Sequence, residues 1–468
     1  MKLAAAVVLA ATLPLFAETP KKADPMTLPA DLPPLLPDKP LLSPDVAAAT
    51  LPNGLAVQVV RTAGVPLVAV RLVVRGGLSD DALAEPGFAQ LLADALKEGT
   101  AGRSSARLAA ETQEAGGDLT ANVAPDALTI AASGLAAKTP LILDLVCDVA
   151  SRASFPPDGV GRVKALAHER LETDESEPTF VASRAFAKAL YGSHPYGVIA
   201  PTVASIDAVT PERLRAESRR RLRPERSLLL VVGAVDPAAV LAEAARRFGS
   251  WTGSGDPPPP APEATPREGP RRIEILDRPG SVQSVLVVGL LGPLRTSVDA
   301  GALELAMTIY GGAFSSRLVQ NLREEKGYTY SPGAGVVWLA ARGPVRSRAA
   351  VRNDVTGAAL GELFYEMTRM GATNPTDEEM DRSRRVFVGL KAISLQTGPG
   401  LADELSRLWI LGLPPSEIGR TTEALAKVTK GDVRRVAKEY LAPGRALVVA
   451  VGDATAIRDE LAPFGPGD

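Results

Sequence analysis

The sequence predicts an α+β protein made of two homologous halves, and three observations support this prediction. A pattern of capping residue, helix and apolar strand occurs twice at a spacing of 219 residues, which indicates an internal repeat. A Pro-rich stretch over 254–271 separates the two copies, and its four consecutive prolines exclude a helix or a central strand there. Strands and helices do not alternate strictly along either half, which favours an α+β arrangement over a doubly wound sheet.

The repeated unit predicts the same local structure in both halves. Thr210 and Thr429 stand at equivalent positions and are typical helix N-caps, and Pro211 suits the first helical turn. Each following helix ends at the pattern Leu-x-Pro-x-Arg, and a buried apolar strand comes next. These strands read LLLVVG in the first half and ALVVAVG in the second.

Each half is expected to contain strands first, then a pair of helices, then further strands and helices. In the first half we expect helices over 85–98 and 103–115, and strands over 56–61, 67–75, 118–122 and 127–133. In the second half we expect helices over 298–310 and 315–325, and strands over 283–290 and 328–338. The Gly-Pro-Gly of residues 398–400 predicts a loop or hinge.

The N-terminus predicts export. One lysine precedes an apolar run from Leu3 to Phe16, and Ala17 follows as a small residue, which is typical of a secretory signal peptide. No cysteine follows this run directly, so we expect a periplasmic or secreted protein with no membrane anchor. The chain then divides into a signal peptide over 1–17, a Pro-rich segment over 18–45, an N-terminal domain over 46–253, a linker over 254–271 and a C-terminal domain over 272–464.

Composition excludes several classes of protein and site. The 52 basic and 54 acidic residues leave a net charge of −2, which argues against a nucleic-acid partner. The single cysteine excludes an intrachain disulfide and a cysteine-based zinc site. The only two histidines, His168 and His194, are too far apart in sequence to form an HExxH or HxxEH motif. We expect His168 to be a solvated surface residue.

Four motifs follow one another in a recognisable order. They are Asn53-Gly-Leu, the stretch Gly87–Thr100, His194-Pro-Tyr and the stretch Phe314–Ser331. In this order they resemble the opening strand, the helix of the inverted zinc motif HxxEH, the F-x-x-H-P-Y box and the C-terminal-domain motif of the M16 peptidases. That family includes insulinase, pitrilysin and the mitochondrial processing peptidases. The resemblance implies two LuxS/MPP-like α/β-sandwich domains, each an antiparallel sheet with helices packed on it, and a structural role for the box at His194.

The resemblance places the family's two histidine ligands at Gln90 and Asp94, its general base at Ala93 and its third ligand at or beside Arg170. In these enzymes the two histidines lie one helical turn apart and hold zinc, while the glutamate before the second histidine polarises a water molecule. Here the imidazoles and that glutamate are all replaced. We therefore expect this chain to bind no metal and no other cofactor.

The C-terminal motif keeps residues that act on substrate in the family. Arg323 and Tyr330 are seven residues apart, and Gly327 between them predicts a turn from a helix end to a strand. In the M16 peptidases an Arg and a Tyr at this spacing donate hydrogen bonds to the substrate carbonyl, and a guanidinium and a phenol are suitable donors for an oxyanion. The alternative is an Arg323 paired with Glu324 or Glu325 and a half-buried Tyr330.

The strand that begins after Gly116 and Gly117 resembles the family strand to which an extended peptide is added. The resemblance therefore implies that Thr120, Ala121 and Asn122 contact a peptide substrate. The alternative is an ordinary hairpin strand with no binding role.

The resemblance implies a divided active site. Some two-domain M16 members work as heterodimers in which one subunit carries zinc and the other supplies the Arg and the Tyr. We therefore predict the non-catalytic subunit of a periplasmic zinc peptidase, inactive alone, that helps to orient peptide substrates in a clamshell chamber. Its expected partner is an M16 paralogue with HxxEH, which would hold the zinc, and a homodimer is left open for the chain alone. The alternatives are a non-enzymatic scaffold or peptide-binding protein with this fold, and an autonomous hydrolase with an unfamiliar site.

Overall fold

The computed structural model describes residues 39–465, so the predicted signal peptide and most of the Pro-rich segment lie outside the described residues. From Pro40 onward the chain forms one compact unit. No helix between residues 39 and 465 is long and apolar enough to cross a membrane. Two β-sheets form in this part of the chain, one from each half.

The first sheet and its helices come from the first half of the chain. Its strands are β1 (Ala47–Thr50), β2 (Ala56–Arg61), β3 (Leu67–Arg75), β4 (Leu119–Val123), β5 (Ala127–Leu135) and β6 (Ser227–Gly233). Its helices are α1 (Phe88–Ala95), α2 (Ser105–Glu114), α3 (Thr139–Arg152), α4 (Pro157–Ser176), α5 (Pro178–Tyr191), α6 (Val203–Asp207), α7 (Pro211–Arg221) and α8 (Pro237–Phe248). The strands lie in the order β1-β2-β6-β3-β5-β4; β2 is parallel to β6, and the other neighbours are antiparallel.

The second sheet and its helices come from the second half. Its strands are β7 (Arg272–Asp277), β8 (Gln283–Leu291), β9 (Gly333–Val336), β10 (Pro344–Arg352) and β11 (Leu447–Gly452). Its helices are α9 (Ala300–Met307), α10 (Thr356–Ala372), α11 (Asp377–Leu395), α12 (Gly398–Ile410), α13 (Glu417–Lys427), α14 (Lys430–Tyr440) and α15 (Ala454–Leu461), with π-helices over Thr308–Gly312 and Val319–Glu325. The strands lie in the order β7-β11-β8-β10-β9; β7 is parallel to β11, and the other neighbours are antiparallel.

The internal repeat is visible in the topology. With β1 set aside, the strands β2, β6, β3, β5 and β4 correspond in order to β7, β11, β8, β10 and β9. Thr210 and Thr429 cap α7 and α14, and each side chain accepts a hydrogen bond from the backbone N–H three residues on. The predicted α+β fold of two homologous sandwich domains is confirmed. The exact domain boundaries stay a prediction.

Strands β6 and β11 are almost entirely apolar because both faces of each sheet are covered. In β6, Leu229 and Val231 face the helices of the first half, whereas Leu228 and Leu230 face the opposite side. This alternation follows from the two-residue period of a strand. It explains why the sequence LLLVVG is a continuous apolar run rather than an alternating one.

Each half supplies a helix that covers the far face of the other half's sheet. From the second half, α12 places Leu405 and Leu408 on β3 and β6. From the first half, α5 places Phe186 and Leu190 on β8 and β11. Residues 254–271 form neither helix nor strand, as the prolines predict. The exchanged helices pack the two halves together, and Ala264 of the linker is buried in the same core as Phe186 of α5.

Several local predictions are wrong in detail. The Gly-Pro-Gly of 398–400 is the first turn of α12, where Thr397 caps the helix and the missing proline N–H has no cost. The helix expected over 315–325 contains a π-helix over Val319–Glu325. The strand expected over 328–338 is only the four residues of β9, so Tyr330 precedes the strand instead of lying on it.

Candidate functional site

Helix α1 carries Gln90 and Asp94 on one face. The helix begins at Gly87, whose φ of 76° is left-handed, and a Cβ there would lie 2.5 Å from the backbone N of Pro201. Because Gln90 and Asp94 are one helical turn apart, their side chains meet, and the Gln90 amide donates to Asp94 Oδ1 over 3.0 Å. Ala93 lies between them in sequence but is fully buried in the core of the first half.

Helix α4 brings Arg170 to the same place. Its guanidinium donates to Asp94 Oδ2 over 3.3 Å, although the two residues are 76 positions apart. The structure therefore brings together Gln90, Asp94 and Arg170, three of the four positions that the resemblance assigned to the zinc site. A fixed positive charge therefore lies at or beside the position to which the resemblance assigns the third ligand.

These residues do not fit a zinc ion. Zinc sites in proteins use imidazole, thiolate or carboxylate ligands, and here the one carboxylate, Asp94, is already paired with an arginine cation and an amide. Among residues 39–465 no group of three or more His, Cys, Asp or Glu is placed to hold a metal. These residues therefore offer no zinc site of this chain's own on which a chemical step could depend.

The predicted peptide-binding strand is an edge strand. Within the described residues β4 ends the first sheet and pairs only with β5. Ala121 is buried, Thr120 is half-buried, and the exposed Asn122 donates to Thr120 Oγ1 over 3.2 Å. A cleft of about 530 Å³ lined by Leu119, Asp94 and Arg170 runs beside this strand. The open edge and the former ligand positions thus share one cleft.

The C-terminal motif is held by buried polar contacts to two helices. Asn321, in the π-helix, donates to Glu362 over 2.8 Å and to Glu366 over 3.1 Å, and both carboxylates belong to α10. Just before the π-helix, Arg317 makes a 2.7 Å ion pair with Glu379 of α11. These contacts fix the backbone from which Arg323 projects.

Two exposed aromatic rings contact the Arg323 guanidinium. Its Cζ is 4.7 Å from the ring centroid of Tyr330 and 4.9 Å from that of Phe314. Its Nε lies 3.3 Å from Glu324 Oε1, so one element of the alternative prediction is present. Tyr330 is 80% exposed, however, and not half-buried. The turn that brings Tyr330 back to Arg323 uses Gly327, which has a left-handed φ of 62°.

The two candidate groups are separate in the described structure. The side-chain contacts found for Arg323 all lie within its own motif, and those found for Asp94 all lie within the first half. The two groups therefore differ in their chemistry. The first is an internally paired amide, carboxylate and guanidinium, and the second is a guanidinium beside an exposed phenol, both of which are hydrogen-bond donors.

Both histidines have structural contacts. His194 Nδ1 accepts from the Tyr196 N–H over 3.1 Å, so its Nε2 carries the proton and donates to the Pro262 carbonyl over 2.8 Å. His168 is partly exposed and lies 2.9 Å from Asp207 Oδ1. These contacts agree with a turn-forming role for His194 and a surface position for His168.

A buried junction between the halves was not predicted. The Tyr196 hydroxyl donates to Asp126, and the N–H groups of Ala341 and Ala340 donate to Tyr196 Oη and Asp126 Oδ2 over 3.1 and 2.8 Å. Burial raises the pKa of Asp126 above its usual value, and burial together with Asp126 raises the pKa of Tyr196. The His194-Pro-Tyr motif was the available signal for Tyr196, but no local pattern pointed to Asp126.

Phe314 is the other residue that the sequence did not single out. It lies nine positions before Arg323, in a turn with no regular periodicity, so no pattern predicts that its ring contacts the guanidinium. Only the fold of the loop shows the contact.

Two family models match the chain. The model described as "Insulinase (Peptidase family M16)" matches residues 57–199, which include Gln90, Asp94 and Arg170. The model described as "Peptidase M16 inactive domain" matches residues 208–387, which include Arg323 and Tyr330. Both models belong to one family, and together they span more than half of the chain.

Relatives of similar sequence and structure agree with these matches. An uncharacterized zinc protease of Mycobacterium bovis is 28% identical over 402 residues, covering 84% of this chain and 90% of the relative. An uncharacterized zinc protease of Streptomyces coelicolor is 25% identical over 403 residues, covering 85% of this chain and 87% of the relative. A solved peptidase M16 inactive domain from Pseudomonas fluorescens has a TM-score of 0.81 at 24% identity, covering 87% of this chain and 98% of that chain. The solved structure of a protease from Helicobacter pylori has a TM-score of 0.81 at 18% identity, covering 88% of this chain and 100% of that chain. The two solved structures share the fold of this chain.

Proposed function

We propose, for a chain that belongs to the M16 peptidase family, that it is the non-catalytic subunit of a heterodimeric zinc peptidase. One contrast carries this proposal. The former ligand positions are closed by the Gln90–Asp94–Arg170 contacts, while Arg323 lies against the exposed ring of Tyr330 and its terminal nitrogens have no hydrogen-bond partner within residues 39–465. A chain that has lost the metal site but keeps the carbonyl-binding pair is suited to act on a site in another subunit.

The proposed role of this chain is to bind and orient the peptide. Within residues 39–465 no hydrogen bond to the terminal nitrogens of Arg323 is found, so they are available to donate to a substrate carbonyl, beside the exposed Tyr330 hydroxyl. Such donors stabilise the negative charge that develops on that oxygen during hydrolysis. The open edge of β4 offers backbone groups to an extended peptide. The zinc-activated water would come from the partner, an M16 paralogue with HxxEH.

The test is reconstitution from two separately purified chains. This chain and a paralogue with HxxEH from the same organism are mixed and examined by native mass spectrometry, zinc analysis and hydrolysis of an unstructured fluorogenic peptide. We expect a one-to-one heterodimer, zinc only in the paralogue, and hydrolysis only when both chains are present.

Three outcomes would contradict the proposal. Stoichiometric zinc and hydrolysis by this chain alone would indicate an autonomous hydrolase. A stable homodimer that excludes the paralogue would indicate a different assembly. A heterodimer that binds peptide but shows no gain in hydrolysis over the paralogue alone would favour the scaffold or peptide-binding alternative.

The proposed location is the periplasm or the cell exterior. The support is the N-terminal pattern of residues 1–17, which lies outside the described residues. We expect cell fractionation to recover the protein outside the cytoplasm, with its new N-terminus at Glu18. An intact Met1 on a cytoplasmic protein would contradict this part of the proposal.

A further inference from the structure

Phe314 is an exposed aromatic residue with one specific contact. Its side chain is 68% exposed and belongs to none of the buried cores. Exposed single apolar residues are common and need no explanation by themselves. The ring of Phe314, however, lies 4.9 Å from the Cζ of Arg323, which is the residue proposed to donate to the substrate carbonyl.

Two aromatic rings contact the Arg323 guanidinium. Phe314 and Tyr330 each lie within 5 Å of the Arg323 Cζ, yet in the described residues the two rings are not in contact with each other. The ion pair with Glu324 holds Nε. These three contacts therefore restrict rotation about the several side-chain bonds of Arg323.

This arrangement suits a hydrogen-bond donor that must be in place before substrate arrives. A guanidinium that stacks on rings keeps its in-plane N–H groups available, because the cation–π attraction uses its face. An arginine without such contacts would lose more conformational entropy when it binds a carbonyl. Restricting Arg323 in advance lowers that cost.

We propose that Phe314 is a positioning residue for Arg323. Its ring holds the guanidinium so that the terminal nitrogens point to the place where the substrate carbonyl binds. This inference rests on the proposed function for the role of Arg323, and the contact itself can be tested without it.

The kinetic test uses three variants in the reconstituted heterodimer. Phe314→Leu removes the ring, and Phe314→Tyr keeps it. Phe180→Leu is the matched control, because Phe180 makes a similar contact with Arg184 at 5.4 Å on α5, far along the chain from the motif. We expect Phe314→Leu to lower kcat by roughly 3- to 30-fold with KM changed by less than about twofold. Phe314→Tyr and Phe180→Leu are expected to keep kcat within about twofold of the unmodified complex.

A second measurement uses this chain alone and separates the two hypotheses. With arginine labelled by ¹⁵N, the Nε–Hε signal of Arg323 is assigned from its loss in Arg323→Lys. We expect Phe314→Leu to move this signal, because the ring current is removed, and Phe180→Leu to leave it in place.

The outcomes are distinguishable. An unmoved Arg323 signal in Phe314→Leu overturns the positioning inference, whatever the complex does. An unchanged kcat, or a loss confined to assembly or KM, in an otherwise active complex also overturns it and leaves the proposed function standing. A reconstituted complex with no activity before any substitution contradicts the proposed function, while the shifted signal would still support the contact between Phe314 and Arg323.

Discussion

The two candidate groups differ in how their polar atoms are satisfied. Beside α1, Asp94 is bonded to Gln90 and to Arg170, so the charge left at the former ligand positions is balanced within the chain. In the C-terminal motif, Arg323 contacts two exposed rings and its terminal nitrogens have no protein acceptor in the described residues. The polar atoms beside α1 are therefore satisfied within the chain, whereas the terminal nitrogens of Arg323 keep donor capacity that the described residues do not use.

The largest expected effect is the recovery of a metal. Combining Gln90→His, Asp94→His and Arg170→Glu places two imidazoles one turn apart and a carboxylate where the guanidinium now lies. We expect about one zinc per chain by elemental analysis after dialysis, against none before. Ala93 is left unchanged because it is fully buried.

The control for this variant keeps Arg170 and changes only the two residues of α1. Since the guanidinium repels a dication, we expect no stoichiometric zinc in that control. Equal zinc in both variants would show that Arg170 does not close the site.

The next effect concerns the donor pair in the reconstituted heterodimer. Arg323→Ala removes a guanidinium donor, and loss of one such donor lowers kcat by about 10²- to 10³-fold in other enzymes. We expect a loss of that order with a nearly unchanged thermal midpoint, because the side-chain contacts found for Arg323 within residues 39–465 are with exposed residues of its own motif. Arg434 is an exposed arginine of the same half, and Arg434→Ala is the control, which we expect to leave kcat unchanged. Normal hydrolysis by Arg323→Ala would remove Arg323 from the proposed site.

A smaller effect is expected for Tyr330→Phe. This substitution keeps the ring against Arg323 but removes the hydroxyl, so only one hydrogen bond is lost. We expect kcat to fall by roughly tenfold, which corresponds to about 1.4 kcal/mol, and heterodimer assembly to be unchanged. A variant as active as the unmodified complex would limit Tyr330 to a stacking role.

The smallest effect is expected for Arg170→Ala. In the ion pair with Asp94, the Arg170 side chain is 57% exposed and the Asp94 side chain 25% exposed, so solvent screens the attraction. Loss of the pair should therefore lower the free energy of unfolding by less than about 1 kcal/mol. Arg162→Ala, which breaks a similarly exposed pair with Glu98 from the same helix, is the matched control in urea denaturation. A much larger loss for Arg170→Ala than for Arg162→Ala would show that the closed site is a stabilising element.

The fold was predictable where local chemistry repeats. The capping threonines Thr210 and Thr429 and the apolar strands β6 and β11 follow from patterns a few residues long, and the structure places them as expected. The Gly-Pro-Gly of 398–400 shows the limit of such patterns. The same residues suit a loop or a first helical turn, and the choice follows from the apolar face of α12 that packs on the other half's sheet.

The candidate site was predictable only in part. The positions of Gln90, Asp94, Arg170, Arg323 and Tyr330 came from motif resemblance, and their proposed roles still await the measurements above. The approach of Phe314 to Arg323 and the exposure of Tyr330 came from the structure alone. The reason is that neither the turn around Phe314 nor the loop between Gly327 and β9 has a periodic pattern from which the directions of its side chains follow.

The sequence alone predicts most strands and helices, the repeat and the break at the Pro-rich stretch, because each depends on neighbouring residues. It also shows that Gln90 and Asp94 are not histidines, whereas their place in a zinc motif follows from the resemblance. The tertiary structure decided which helix covers which sheet, that Arg170 pairs with Asp94 from 76 positions away, and that β4 keeps an open edge. Such contacts depend on how whole helices and sheets pack, since the free energy that selects them is summed over many buried side chains. A short stretch of sequence therefore cannot predict which of these contacts form.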